Sequence, residues 1–228
     1  MTPATNVAGA TTPRSDGPLK LAIPRGALFD ETVEVLQGAG LAAEQMRGES
    51  RSLIFDGGGI TLVTMRPSDV PTYVEAGAAD LGITGKDVLL EQADRAVYEL
   101  LDLGYGECRM VLAGRQGDER LGEDERRLGA MRIATKYPRV TERYFEQTGR
   151  QAEVIEVKGS VELAPLIGLA DGIVDLVATG RTLAENELEV REEITRSTAR
   201  LIANRVAHKL RAAEVDELAA RLREATER

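Results

Sequence analysis

Apolar residues fall along this chain in short runs that alternate with stretches of helical spacing. Leu19 to Ile23 is an apolar run, followed by a Pro-Arg-Gly turn and by Leu28, Val33, Leu36 and Leu41 at helical intervals, closed by Gly38 and Gly40. The same reading predicts strands at Leu53 to Phe55, Ile60 to Met65, Leu81 to Thr84, Val97 to Leu101, Cys108 to Ala113, Met131 to Thr135, Ala152 to Val157 and Ile173 to Val177. Asp56-Gly57-Gly58-Gly59 reads as a hairpin loop, because successive glycines allow positive φ. Helices are predicted at Val70 to Gly77, Pro138 to Gly149 and Val161 to Leu169. Such alternation favours an α/β protein with a mixed or mainly parallel sheet. From Glu189 to Arg228, Ile194, Leu201, Ile202, Val206, Leu210, Val215, Leu218 and Leu222 lie among charges in an amphipathic helical pattern. Its apolar face serves either a core or a partner.

Composition narrows the chemistry. With 29 Lys plus Arg against 38 Asp plus Glu, the 228-residue chain has a formal charge of -9, which argues against a nucleic-acid partner. Three Phe, five Tyr and no Trp leave the core to Leu, Val, Ile and Ala and make stacking on bases an unsuitable mode of action. A chain of this length buries roughly 70% of its unfolded surface, enough for one large or two small domains. Cys108 and His208 are single examples of their kinds, so an intrachain disulfide and a Cys/His zinc site are both excluded. One thiol fits a reducing, cytoplasmic setting. No apolar run approaches the roughly 20 residues that a membrane span takes. Residues 1–18 read as a disordered tail without the apolar stretch of a secretory signal, and the charge-dense Arg115 to Gly129 reads as a solvated loop.

An internal echo is more informative. Asp80-Leu81-Gly82-Ile83-Thr84-Gly85-Lys86 and Asp175-Leu176-Val177-Ala178-Thr179-Gly180-Arg181 both read D-L-x-x-T-G-basic, each after a stretch of small residues. This suggests a strand running into a Thr-Gly turn that opens a helix, once in each of two similar lobes, with coincidence as the rival. Thr179-Gly180-Arg181-Thr182 is the stronger copy. Glycine lets the backbone approach an anion, while Thr hydroxyls and helix-start N–H groups donate to phosphate oxygens. Asp175 is placed to meet ribose hydroxyls or a metal. The plainer reading is a capped turn without a ligand. Arg25, Arg51, Arg66, Asp69, Lys86 and Asp87 lie near strand ends and matter only if they converge. Glu162 suits the first turn of a helix, His208 reads as a surface residue and Cys108 as a buried small side chain.

Leu21 to Phe29 (L-A-I-P-R-G-A-L-F), Arg66 to Val74 (R-P-S-D-V-P-T-Y-V), Ala79 to Leu89 (A-D-L-G-I-T-G-K-D-V-L), Glu99 to Gly104 (E-L-L-D-L-G), Arg132 to Pro138 (R-I-A-T-K-Y-P), Gly159 to Asp171 (G-S-V-E-L-A-P-L-I-G-L-A-D) and Asp175 to Leu183 (D-L-V-A-T-G-R-T-L) stand in one order along the chain. Together they resemble the short-form ATP phosphoribosyltransferases, the first enzymes of histidine biosynthesis, from about Leu19 to Lys209. The resemblance implies a two-lobed α/β fold like that of type II periplasmic binding proteins, with the active site in the interlobe cleft and the chain crossing between lobes twice. Lobe I would comprise residues 19–110 plus 188–210, lobe II residues 111–187, and residues 211–228 a C-terminal helix. The implied reaction transfers the phosphoribosyl group of 5-phosphoribosyl 1-diphosphate (PRPP) to N1 of ATP and releases pyrophosphate with Mg2+, borne by substrate, as cofactor.

By the same resemblance Thr179, Gly180, Arg181 and Thr182 would cradle the 5-phosphate, and Asp175 and Glu162 would contact ribose hydroxyls or Mg2+. Arg51 would stabilise pyrophosphate, and Arg25, Asp69, Lys86 and Asp87 would line the ATP and substrate cleft. The implied partners are a second copy of the chain and a regulatory subunit resembling histidyl-tRNA synthetase, with no nucleic acid or membrane. Two positions depart from the family. Ala27 stands where many members carry Arg, and Glu187 replaces the glycine usual after the phosphate loop, which puts the local turn in question. A non-catalytic anion-binding protein of the same fold and a phosphoribosyltransferase for another base are the alternatives.

Overall fold

The computed structural model describes residues 17–48, 51–118 and 130–227. In chain order the elements are β1 (Leu19–Pro24), α1 (Phe29–Gly38), β2 (Ile54–Asp56), β3 (Ile60–Met65), α2 (Val70–Glu75), β4 (Leu81–Gly85), α3 (Lys86–Glu91), β5 (Val97–Asp102), β6 (Cys108–Arg115), β7 (Met131–Thr135), α4 (Pro138–Thr148), β8 (Ala152–Glu156), α5 (Leu163–Leu166), β9 (Gly172–Val177), α6 (Arg181–Glu185), β10 (Leu188–Ser197), β11 (Ala199–Asn204), α7 (Arg205–Leu210) and α8 (Ala212–Thr226). They form two compact units. The first holds the described residues up to Gly85, Asp94–Gly106 and those from Ala199 onward; the second holds Lys86–Ala93 and Glu107–Thr198.

The first unit is a six-stranded sheet in the order β2-β3-β1-β4-β11-β5. β1 runs parallel to β3 and β4, while β2 and β11 are antiparallel to their neighbours. Leu21, Ile23, Leu62, Leu81, Ile83 and Leu201 fill its core against Val33 and Leu36 of α1 and Val215, Leu218 and Leu222 of α8. Each fully buried side chain of this kind contributes about 1.5–3 kcal/mol of transfer free energy. On the other face α2 presses onto β4 at Gly82, where a Cβ would lie 2.5 Å from the Val70 side chain and 2.8 Å from that of Val74.

The second unit is a five-stranded sheet, β10-β6-β9-β7-β8. β7 is parallel to β8 and β9, and β6 is antiparallel to β9 and β10. Both faces are covered. Met110 and Leu112 point to one apolar layer with Ile133, Val140, Phe145 and Val174, and Val111 and Ala113 to the other with Val161, Ala164, Ile173 and Leu183. The period of two therefore produces a continuous apolar run in the sequence, because each face meets a layer of its own.

The domain boundaries differ from those expected. α3 belongs to the second unit, an excursion beyond the two crossings expected, and so does the whole of β6. Residues 188–198 join it too, because β10 pairs along β6, and α8 is part of the first unit's core rather than a separate helix. The helical reading from Glu189 is corrected for residues 188–204, which form two strands. β10 lies at a sheet edge and carries two register shifts, between Val190 and Glu192 and between Glu193 and Thr195, which erase the strict alternation that marks a strand. α5 is shorter than expected and ends where Gly168 turns to φ +76. The tail expected over residues 1–18 and the loop expected over Arg115 to Gly129 lie mostly outside the described residues.

Candidate substrate site

Three parallel strands of the second unit deliver their carboxyl ends to one end of the sheet, the end where open α/β sheets bind ligands. β7 continues into Lys136 and Tyr137, β8 leads through Gly159 and Ser160 to Glu162, and β9 leads into Thr179 and Gly180. Asp175 lies within β9, opposite Val111 on the neighbouring strand, and only 12% of its side chain is exposed. Its Oδ1 accepts the Leu176 N–H at 2.9 Å, and Lys136 Nζ stands 3.7 Å from Oδ2. Burial pushes the Asp175 carboxyl above its ordinary value and the nearby Glu162 carboxylate adds to this, while the Leu176 N–H and the Lys136 ammonium oppose it. The chain thus sets two carboxylates and one cation around the end of β9.

After β9 the backbone turns sharply. Gly180 sits at φ +78 immediately before α6, a conformation that only glycine adopts without strain. Thr179, Arg181 and Thr182 are exposed, and the Arg181 guanidinium reaches Glu185 one turn on, at 2.7 Å. Glu187 is the one non-glycine residue with positive φ among the described residues, at φ 54. The turn expected to suffer from the missing glycine is therefore kept, with a side chain held in the left-handed region.

Lys86 and Asp87 belong to the second unit, which the chain enters after β4 ends at Gly85, whereas Arg25 and Asp69 belong to the first. Asp87 is buried: its Oδ1 accepts the Ser197 hydroxyl at 2.9 Å, its Oδ2 accepts the Tyr137 hydroxyl at 3.4 Å, and its N–H donates to Ser197 Oγ at 2.9 Å. Tyr137 holds its proton well above the ordinary phenol range, through burial and the carboxylates of Asp87 and Asp175. Lys86 is half-buried and donates its N–H to the Thr198 carbonyl at 3.0 Å. In the first unit, Arg25 and Asp69 follow the parallel strands β1 and β3, and Arg51 precedes β2, which runs against β3. All three lie exposed at the same end of that sheet. Arg25 Nε donates to Thr64 Oγ1 at 3.1 Å, and its guanidinium stacks 5.7 Å above the Phe29 ring. Ala27 is exposed beside it.

Cys108 is half-buried rather than buried, and burial together with Asp87 pushes its thiol up, so it is a poor nucleophile. His208 meets the Tyr98 ring edge-on at 5.5 Å in the first unit. Lys136 and Tyr137 received no role from sequence. Their signal was a charged and an aromatic residue directly after an apolar strand, followed by Pro138 at a helix start. No helix among the described residues is long and apolar enough to cross a membrane.

Known proteins share this architecture. The family described as HisG, ATP phosphoribosyltransferase, matches residues 66–224. The ATP phosphoribosyltransferase of Rubrobacter xylanophilus is 56% identical over 205 residues, covering 89% of this chain and 94% of that protein. The one from Symbiobacterium thermophilum is 50% identical over 218 residues, covering 92% and 96%. Among solved structures, the ATP phosphoribosyl transferase (HisG:HisZ) complex from Thermotoga maritima aligns with a TM-score of 0.76 at 39% identity, over 92% of this chain and 98% of that one. The periplasmic aliphatic sulphonate binding protein SsuA from Escherichia coli, with a TM-score of 0.60 at 15% identity over 93% of this chain and 73% of that one, shares the fold alone. The two α/β units are thus those of the type II periplasmic-binding-protein fold, and the chain belongs to the ATP phosphoribosyltransferase family.

Proposed function

We propose that the chain carries out the reaction of its family, transfer of the phosphoribosyl group of PRPP to N1 of ATP, with the donor held at the carboxyl ends of β7, β8 and β9. The observation that carries this assignment is the grouping of Asp175, Glu162 and Lys136 beside the exposed Thr179–Thr182 turn. In the transfer, the adenine N1 lone pair attacks the anomeric carbon while the bond from that carbon to the pyrophosphate oxygen breaks. The electron pair leaves with pyrophosphate, and positive charge gathers on the ribose ring. Attack by a lone pair needs no base to unmask the nucleophile, so alignment and charge stabilisation dominate.

Each residue then has a role. Thr179, Gly180, Arg181 and Thr182 hold the 5-phosphate by hydroxyl and main-chain donors. Asp175 and Glu162 accept ribose hydroxyls, and their negative charge favours the developing cation. Arg51 stabilises departing pyrophosphate, with Arg25 supplying the cation that Ala27 lacks, and Asp69 serves the ATP side. Lys86 and Asp87 are assigned to substrate binding in the second unit, with both oxygens of Asp87 engaged by Ser197 and Tyr137.

The donor set fits a cation carried in by substrate. No three His, Cys, Asp or Glu side chains among the described residues converge as ligands, and Asp175 and Glu162 would be the carboxylates to hold a cation that arrives with substrate. Mg2+ bound in this way would neutralise charge on the leaving pyrophosphate. The likeness to the HisG:HisZ complex supports assembly with a regulatory subunit of that kind, as expected of a short-form catalytic chain; pairing of two copies and a cytoplasmic location complete the proposal.

The test is a pyrophosphate-release assay of the purified chain with PRPP, ATP and Mg2+, with and without the regulatory subunit, following the N1-phosphoribosyl-ATP chromophore. The reading predicts product from the unaltered chain and a fall of about a hundredfold in kcat/KM for Arg51→Ala. PRPP binding without this product would assign the site to another acceptor.

A further inference from the structure

Lys136 is held by its backbone more firmly than a surface lysine requires. On one side, Thr135 Oγ1 donates to the Val174 carbonyl of β9 at 2.8 Å and accepts the Tyr137 N–H at 2.9 Å. On the other, Tyr137 is tied to Asp87, and the two oxygens of Glu91 in α3 accept the N–H groups of Arg139 and Val140, each at 3.1 Å, closing the first turn of α4. From this fixed point the Lys136 side chain, 40% exposed, places its ammonium 3.7 Å from an Asp175 carboxylate of which only 12% is exposed.

Among the described residues, the groups that face Asp175 are few. They are Lys136 and the Tyr137 hydroxyl from the turn after β7, Glu162 from the turn before α5, and the main-chain N–H of Leu176 on its own strand. Lys136 is the one cation among them. A buried carboxylate beside a second carboxylate needs such a partner to be held in one orientation.

We propose that Lys136 is a positioning residue for the ribosyl-phosphate donor, holding the Asp175 carboxylate in place as a charged acceptor for the ribose hydroxyls. The inference rests on the assignment of Asp175 to the ribose. An ammonium beside that carboxylate makes both oxygens better acceptors for incoming hydroxyls than a protonated acid would be, because a neutral carboxyl must donate from one of them.

Calorimetric titration of PRPP into the full chain tests this without depending on the acceptor. Lys136→Gln is expected to weaken PRPP binding about tenfold at neutral pH, while Lys136→Arg stays within about twofold of the unaltered chain. In an Asp175→Asn background, Lys136→Gln should change affinity by less than about twofold. Equal weakening in both backgrounds would overturn the proposal, because it would mean that the lysine meets a phosphate directly. So would unchanged affinity in Lys136→Gln. Lys136→Met supplies a second neutral variant should the first fail to fold, and failure of both while Lys136→Arg folds would make the lysine purely structural, which also overturns the proposal. An unaltered chain that does not bind PRPP would refute the donor-site assignment itself; binding that is indifferent to Lys136→Gln would refute this inference alone.

Discussion

Asp80 lies just ahead of β4 in the first unit, where its Oδ2 accepts the Lys20 N–H at 2.8 Å and faces Arg211 at 3.8 Å; Asp175 lies inside β9 in the second unit, facing a half-exposed lysine. Thr84 is fully buried and donates its hydroxyl to the Pro67 carbonyl at 2.9 Å, whereas Thr179 is exposed. Gly85 ends a strand in ordinary extended register, whereas Gly180 turns left-handed at φ +78. The two D-L-x-x-T-G-basic segments thus share letters and the passage from strand to helix, but not the Thr-Gly turn expected of both. A polar side chain whose partners are all internal fastens the fold. The same side chain at an open strand end is available to a ligand.

Replacements should separate the two segments. The largest effect is expected from Asp175→Asn, which should lower kcat/KM for PRPP by about a hundredfold or more in the product assay. Next comes Asp80→Ala, which leaves the Arg211 guanidinium, 8% exposed, with Glu214 but without the carboxylate at its inner side. We expect a loss of about 2 kcal/mol in urea unfolding, with the donor site of the remaining folded protein intact.

Stability against pH sharpens the contrast further. Burial and Glu162 raise the Asp175 pKa above its ordinary 3.8, so the folded chain holds that proton more tightly than the unfolded chain does. Below about pH 3.8 both states carry the proton and the group adds nothing either way; as pH rises through the raised folded value stability falls, and above it the deficit is constant. Asp175→Asn has no proton to lose, so it should match the unaltered chain in acid and exceed it in stability at neutral pH, while being the poorer enzyme. Unfolding curves at several pH values check this, and a variant less stable at neutral pH would contradict it. The smallest expected effect is Glu187→Gly, which removes a side chain from the left-handed region at φ 54 and should stabilise by about 0.5–1 kcal/mol in the same unfolding assay.

Much of the fold was legible because the strands are short apolar runs. β3 and β7 match their expected bounds, and the Asp56–Gly59 loop joins β2 and β3 as the expected antiparallel hairpin. The stretch from Leu188 to Asn204 was not, since an edge strand with two bulges loses its period, and β11 after it sits between β4 and β5, far away in sequence. The Thr179–Thr182 turn could be read because its chemistry lies in consecutive residues. Lys136 and Asp175 are separated by two helices and a strand, and the parallel pairing of β7 with β9 brings them together. Asp87 is a different case, because nothing in the local sequence shows that Ser197, 110 positions on, and Tyr137 engage its two carboxylate oxygens.

The central claim is that the open copy of the repeated segment holds the donor and the closed copy does not. It is tested most directly by measuring KM for PRPP in Thr179→Val and Thr84→Val, each compared with the unaltered chain in the product assay. The account predicts a rise of about tenfold or more for Thr179→Val. For Thr84→Val it predicts an unchanged KM with a loss of about 1–2 kcal/mol in unfolding free energy, from the Pro67 carbonyl left without its donor. An unchanged KM in Thr179→Val, or an equal rise in both variants, would contradict it.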